Sequence, residues 1–446
     1  MKRLIRIGLL VLVSSYIVLS AGFMLIRIPP TGPGVPIGEI VVFLGLGALF
    51  VIPRMAASFL GNSPTSFLFI FWAIGLCHLF IDGPNAGFWA FRDAAHLFET
   101  TYLWIGFWVA ASSVSFDFLY KWMGITFRVA TLCALTYPLR DVLAGVSPQI
   151  SSAGAYSIPL FFAYLNMSSS VITGLMFSLS DNWSRHGAIF IWVSAAAVVL
   201  LVTLVQVRVA YLQLAIVTVM LFAYSPQSAG RWLRLMVIGV VGVLLFASLN
   251  LDLEGRLGTR FTLDFLLNHI QAIWGGGDGT VKDAADGVGL RLRWWQDVQD
   301  LVFSGPLHTL FGVGYGEPLT TFAGPEGDIT REPHNSFISV MARYGLVGLA
   351  AFLYFQAHLV YTVIWLIRMS ARLNLRKIYH FSLTALAFFG VNLLFSIVEG
   401  GFEVSYVAIP YYFMAGLIYG VRRNLLVTLS ASSPIAASFV GEKSAI

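Results

Sequence analysis

Charge is what this sequence has least of. Of its 446 residues only 11% are Asp, Glu, Lys or Arg, and 58% are hydrophobic. A soluble domain carries roughly 25% charged residues. A water-soluble globular protein is therefore excluded, and an all-α polytopic membrane protein is expected. Cysteine is scarce as well. Cys77 and Cys133 both fall in apolar runs, which gives neither a disulfide framework nor a thiolate metal site. No basic stripe interleaved with aromatics accompanies the net charge of +5, so nucleic acid is not expected as a partner. No internal repeat or low-complexity segment stands out. The alternating glycines at 312, 314 and 316 are not followed by G-K-[ST], so they form no Walker A motif and read as a structural turn. No D-x-D pair stands ready for Mg²⁺ in the polar part of the chain. Neither metal nor cofactor is expected.

Long apolar runs are what is there. A membrane span needs about 20 apolar residues. Twelve candidates lie at roughly 4–26, 36–52, 66–82, 96–115, 119–138, 157–179, 187–206, 208–224, 232–249, 345–367, 381–398 and 404–420. The first is basic at its start but too long for a signal-peptide core, and it reads as a span. The runs 36–52 and 208–224 are short, and 208–224 is expected to be re-entrant. Lys2, Arg3 and Arg6, the acid-free loop 368–380 with Arg368, Arg372, Arg376 and Lys377, and the pair Arg422 and Arg423 should all be cytoplasmic. The stretch 250–333 is different, because it holds twelve of the 22 acids and six Lys or Arg. It should face the other side, the periplasm of a Gram-negative cell. The expected parts are a transmembrane bundle over 1–249, a periplasmic segment over 250–344, C-terminal spans over 345–424 and a disordered tail over 425–446.

Four polar clusters border this loop. GLRLRWWQDVQDLVFSG, 289–305, reads as a short helix with Leu292, Trp295, Val298 and Val302 on one apolar stripe. Arg291 stands at its start, away from the stripe. In REPHNSFISVMARYGLVG, 331–348, Pro333 sets a helix start, His334 and Asn335 fall at its beginning, and the run past Gly345 enters the membrane. A neutral imidazole at such a height can take a hydroxyl proton near pH 7. A helix-capping or interface histidine is the plainer alternative. Arg185 and His186 precede another apolar run, where an arginine serves topology, a lipid headgroup or a phosphate. Glu399 and Glu403 flank a turn that should share the loop's side and could orient a base or an acceptor.

The order of these pieces resembles the O-antigen ligase and O-antigen polymerase superfamily. The resemblance rests on Arg185 before a span, Arg291 and Trp295 as R-x-x-x-W, FGVGYG, and then His334, Asn335, Phe337, Arg343, Gly345 and Gly348 in order. It covers about 180–370. It implies a metal-independent, inverting integral-membrane glycosyltransferase of the bacterial inner membrane, its active site facing the periplasm. The implied donor is a glycan on undecaprenyl pyrophosphate. The acceptor would be a lipid A-core sugar for a ligase, or the end sugar of another lipid-linked repeat for an O-antigen or exopolysaccharide polymerase. By that resemblance His334 is the base, and Arg291 and Arg185 hold the pyrophosphate. Asn335, Arg331, Arg343, Trp295 and Glu399 are supporting candidates. The alternative from another class is a flippase of lipid-linked sugars. That function would place ionisable groups inside the spans, near the midplane.

Overall fold

The structure is a computed structural model. It describes residues 2–24, 26–28, 35–42, 65–112, 115–146, 149–151, 157–159, 167–180, 187–249, 261–271, 280–320 and 331–431. Those residues are overwhelmingly helical. Two antiparallel ribbons of two short strands each, Arg27–Ile28 with Val35–Pro36 and Gln149–Ser151 with Ser157–Pro159, are the exceptions.

The bundle is built from α1 (Lys2–Leu19), α2 (Thr65–Ala86), the short α3 (Phe88–Asp93) and α4 (Ala95–Glu99), α5 (Tyr102–Ala111) and α6 (Phe116–Leu135). It continues with α7 (Met167–Ser180), α8 (Gly187–Leu200), α9 (Val209–Tyr224) and α10 (Pro226–Ser248). The loop region holds α11 (Leu263–Gln271), α12 (Thr280–Val302) and α13 (Pro306–Phe311). Then come α14 (Ser336–Arg372), α15 (Arg376–Val398) and α16 (Ser405–Ala431). Four helices, α2, α10, α14 and α15, are long and apolar enough to cross a membrane. The expected count of twelve goes beyond those four. In α1 and α6 three charged residues break the apolar run: Lys2, Arg3 and Arg6, and Asp117, Lys121 and Arg128. The run expected at 36–52 is described only to residue 42. The tail expected to be disordered from 425 is helical through Ala431, and the rest of it lies outside the described residues.

The sequence dictates several of the boundaries. Ser115 caps α6 by accepting from the Phe118 amide, with Asp117 in the first turn where the helix dipole favours an anion. Pro226 starts α10 one residue after α9 ends. At the centre, α16 packs along α5 through the small residues Gly106, Gly416 and Gly420, which let the backbones close. Tyr411, Tyr412 and Tyr419 of α16 are fully buried. Tyr412 is hydrogen-bonded to His96 (2.7 Å).

The helix ends sort into two groups. At one end Lys377 pairs with Asp117 (2.8 Å), Arg6 stacks on Trp108, Arg422 on Trp365, and Asn424 donates to the Ala110 carbonyl. The basic residues expected to be cytoplasmic cluster here. At the other end stand the end of α2, the 312–316 loop, the start of α14, the end of α15 and the start of α16. The run 208–224, expected to be re-entrant, instead joins the two ends. Tyr211 of α9 meets His269 of the loop region, while Tyr224 accepts a hydrogen bond from Tyr379 at the basic end.

The 37 residues of α14 are two helices in register. Gly345 breaks them with φ 67°, ψ −171°, a backbone that an L side chain rarely adopts. A Cβ there would also lie 2.3 Å from the Leu310 carbonyl carbon. The first nine residues therefore lie over the site, and the remainder runs into the bundle.

Candidate functional site

The site is assembled at the end opposite the basic cluster. Asn335 is the N-cap of α14, its Oδ1 accepting from the amides of Phe337 (3.0 Å) and Ile338 (3.2 Å). His334 therefore precedes the cap and lies outside the helix. Its backbone is left-handed, φ 52°, a conformation costing a non-glycine residue roughly 1–2 kcal/mol. The twist turns the imidazole away from the helix and onto the indole of Trp294, with ring centroids 5.6 Å apart and 28° between planes. Next to it, Trp295 Nε1 donates to the Pro333 carbonyl (2.9 Å). The two tryptophans thus hold the histidine from both sides, one by its ring and one by its backbone.

These contacts correct the expected register of α12. The helix runs from Thr280, so Arg291 lies at its middle, not its start. The buried stripe is Trp294, Val298 and Val302, while Leu292 is exposed. Arg291 stands one turn before Trp294, on the stripe's own face. Trp294 and Trp295 both turn inward to the site.

Glu399 closes the cluster from the end of α15. Its Oε1 accepts from Arg291 Nη2 (2.9 Å) and its Oε2 contacts His334 Nδ1 (3.1 Å). Burial pushes this carboxyl up, but the His334 hydrogen bond and the Arg291 charge outweigh it and hold it below the ordinary carboxylate range. An ionised carboxylate only accepts hydrogen bonds, so Nδ1 carries the proton in this pair. Nε2 then presents a lone pair, and it has no partner among the described residues. The side chains of Arg291, His334 and Glu399 keep 28%, 40% and 30% of their surface. The arrangement suits a general base whose tautomer is set by a carboxylate.

Two more of the expected supporting residues do something else. Arg331 and Arg343 converge on Asp93 of α3, at 2.7 and 3.1 Å. Arg331 also donates to the Gly316 carbonyl (2.6 Å) and lies over Trp89 (4.4 Å). Arg343 donates to the carbonyls of Gly314 and Glu317 and to Glu332 (3.0 Å). Asp82 accepts from the Tyr315 amide and Asp93 from the Gly316 amide. This clasp ties the glycine loop to α2, α3 and α14. Gly314 has φ 80°, and a Cβ on it would meet Asp82 Oδ2 at 2.2 Å. The loop is the structural turn that its sequence suggests.

Arg185 and His186 lie outside the described residues. The described residues on either side are at the basic end. The Leu179 carbonyl accepts from Ser228 at the start of α10, and Arg128 lies over both Phe177 and Phe190. Sequence reasoning missed Trp294, Asp82 and Asp93. For Trp294 the signal was present, since it lies three residues after Arg291 and so on the same helical face. Asp82 and Asp93 stand more than 200 residues before their partners, and no spacing rule reaches that far.

Residues 189–353 match the family model described as O-antigen ligase. Over that stretch the chain is similar to O-antigen ligases. The match takes in Arg291, Arg331, His334, Asn335 and Arg343 and stops short of Glu399. It supports the O-antigen ligase superfamily for this protein, with ligase- or polymerase-type function in general and a lipid-linked glycan and an acceptor as substrate classes. No curated protein matches the chain.

Proposed function

We propose that this protein is a glycosyltransferase of the bacterial inner membrane, moving a glycan from undecaprenyl pyrophosphate to an acceptor hydroxyl on the periplasmic side. His334 Nε2 takes the acceptor's proton. The freed oxygen attacks the anomeric carbon from the face opposite the pyrophosphate. The carbon–phosphate-oxygen bond breaks, and the pyrophosphate leaves with the electron pair, inverting the centre. Glu399 keeps Nδ1 protonated and stabilises the imidazolium that forms. Arg291 uses one N–H on Glu399 and can direct others at the charge growing on the leaving group, where a fixed donor is most effective. The observation that carries this reading is the unbroken sequence Arg291–Glu399–His334 with Nε2 unpartnered among the described residues. Arg185 is left out of it, because it lies outside the described residues.

The test is transfer by the purified full-length protein in nanodiscs, with undecaprenyl-pyrophosphate-linked glycan and an acceptor lipid. His334→Ala should lower transfer by about 10³-fold while leaving donor binding intact. Transfer at the normal rate would sink the base assignment, and absence of transfer by the parent protein would favour the flippase. The ligase name is preferred over polymerase because the matched domain is ligase-related. A deletion strain separates the two. Uncapped core with accumulated long lipid-linked chains marks a ligase, and core capped with single repeats marks a polymerase.

A further inference from the structure

Glu403 is a buried carboxyl that the mechanism above does not use. It ends the short 3-10 turn Gly401–Glu403 that links α15 to α16. Its Oε2 accepts from Ser336 Oγ (2.7 Å), and that same hydroxyl accepts from the Phe402 amide (2.9 Å). Oε1 is buried and has no hydrogen-bond partner among the described residues. Burying a carboxyl with a lone pair unmet is costly. Glu332 raises that cost, facing Glu403 across Ser339, which donates to Glu332 (3.1 Å). A position needed only for packing would be filled more cheaply by an apolar side chain.

The location of the pin explains the expense. Ser336 is the first residue of α14, two positions after His334. Glu399 lies four positions before Glu403. One hydroxyl, gripped by Glu403 and by the Phe402 amide, therefore fixes the segment bearing the imidazole against the turn bearing its carboxylate. Ser339, one turn further along the same segment, also hydrogen-bonds Glu403, and the His334–Glu399 contact completes the junction. Ser336 is fully buried, so water does not compete for the bond.

We propose that Glu403 is a positioning residue for the transfer reaction: through Ser336 it sets the approach of Glu399 to His334, and with it the aim of Nε2. This rests on the assignment of His334 as base. A misplacement of about 1 Å at a reacting group costs on the order of 100-fold in rate. Glu403→Ala should lower kcat by about 10- to 100-fold while leaving the KM for the lipid-linked donor within about twofold. Glu403→Gln should recover most of the loss, since its amide oxygen accepts the same bond. Ser336→Ala should reproduce the Ala defect, and Glu403→Asp, which withdraws the carboxylate by one methylene, should fall between. These two serve if Glu403→Ala fails to insert.

The deciding measurement is a double-mutant cycle with His334→Ala in the nanodisc transfer assay. Adding Glu403→Ala to His334→Ala should cost no further residual activity, because a positioning residue has nothing left to position. A folded Glu403→Ala protein with normal kcat would overturn the inference. So would an additive loss in the cycle, or a Gln variant as impaired as Ala. Those results leave the base assignment standing. Full transfer by His334→Ala alone would instead remove the base assignment, and this inference with it.

Discussion

Two arginine–carboxylate clusters stand at the same end of this protein, and they are built for different purposes. In the clasp, Arg343 keeps 4% of its side-chain surface and Asp93 keeps 1%. The terminal nitrogens of each guanidinium there bond carbonyls and carboxylates of the protein itself, while Arg343 Nε is buried without a partner among the described residues. In the site, Arg291, Glu399 and His334 keep 28 to 40%, and the imidazole has an unused nitrogen. The clasp has regular helix and glycine-turn backbone, whereas the site has a histidine in a left-handed conformation. Such strain persists where surrounding contacts over-determine it, and it concentrates at functional positions. Charge type alone does not separate the clusters. What separates them is whether the polar atoms are consumed internally or left facing outward.

The sharpest way to break this contrast is to remove the outward-facing nitrogen. His334→Ala should lower transfer by about 10³-fold, within the range for loss of a general base, with a thermal midpoint in detergent close to the parent's. The complementary change is Asp93→Ala in the clasp. It takes the carboxylate from Arg331 and leaves Arg343 with Glu332 alone, and breaking a buried set costs up to about 3–5 kcal/mol. The expected result is low yield and an early melting transition, with any folded fraction turning over at a near-normal kcat. If instead Asp93→Ala were stable and lost kcat, the clasp would belong to the chemistry and the distinction would collapse.

Much of this was legible in the chain, and the illegible part has a definite cause. The apolar runs located the long described helices of the bundle but not Phe88–Asp93, Arg140–Val146 or the helices of the polar stretch, because a bilayer leaves the backbone few choices only where it surrounds it. Arg291, His334 and Glu399 were each visible as polar residues at the border of an apolar run. Their union was not, since 43 and 65 residues separate them in turn and only the packing of α12 across the start of α14 brings them together. Of the stripe expected in 289–305, Val298 and Val302 are buried, whereas at its start the inward residue is Trp294 and Leu292 is exposed. The stripe was anchored on Leu292, and the strong apolar character of Leu292 hid the fact that Arg291, Trp294 and Val298 form the inward face. Arg331 and Arg343 looked as functional as Arg291 for the same reason the two clusters resemble each other: sequence shows charge but not burial. The run 208–224 reads as re-entrant because it is short, whereas α9 links the two ends.

A smaller effect tests the carboxyls by pH. Glu403 is raised to about 7, first by burial and then by Glu332. Its ordinary value is near 4.5, so between those limits the folded protein holds a proton that the unfolded chain has released. Stability should be fullest below about 4.5, fall as pH rises through 7, and level off beyond. In Glu403→Gln that slope should vanish, seen as a flatter dependence of the thermal midpoint on pH from 5 to 8. An unchanged slope would mean that a different group titrates.

Glu399 moves the opposite way and offers the finest probe of the site. Its carboxyl is held below the ordinary range, so its contribution is present above that range and lost as pH falls through the lowered value. Arg291→Met removes one of the two partners that hold it down and leaves burial, which pushes up, in place. The acid-side loss of stability should therefore begin at a higher pH in the variant than in the parent, read as thermal midpoints between pH 3 and 6. Because this readout is stability rather than transfer, it is independent of any role Arg291 has on the donor. If the acid limb stays put, the 2.9 Å contact does not bias Glu399 in the folded protein. Arg291 would then face the substrate alone, and the difference between an internally consumed cluster and an outward-facing one would be sharper still.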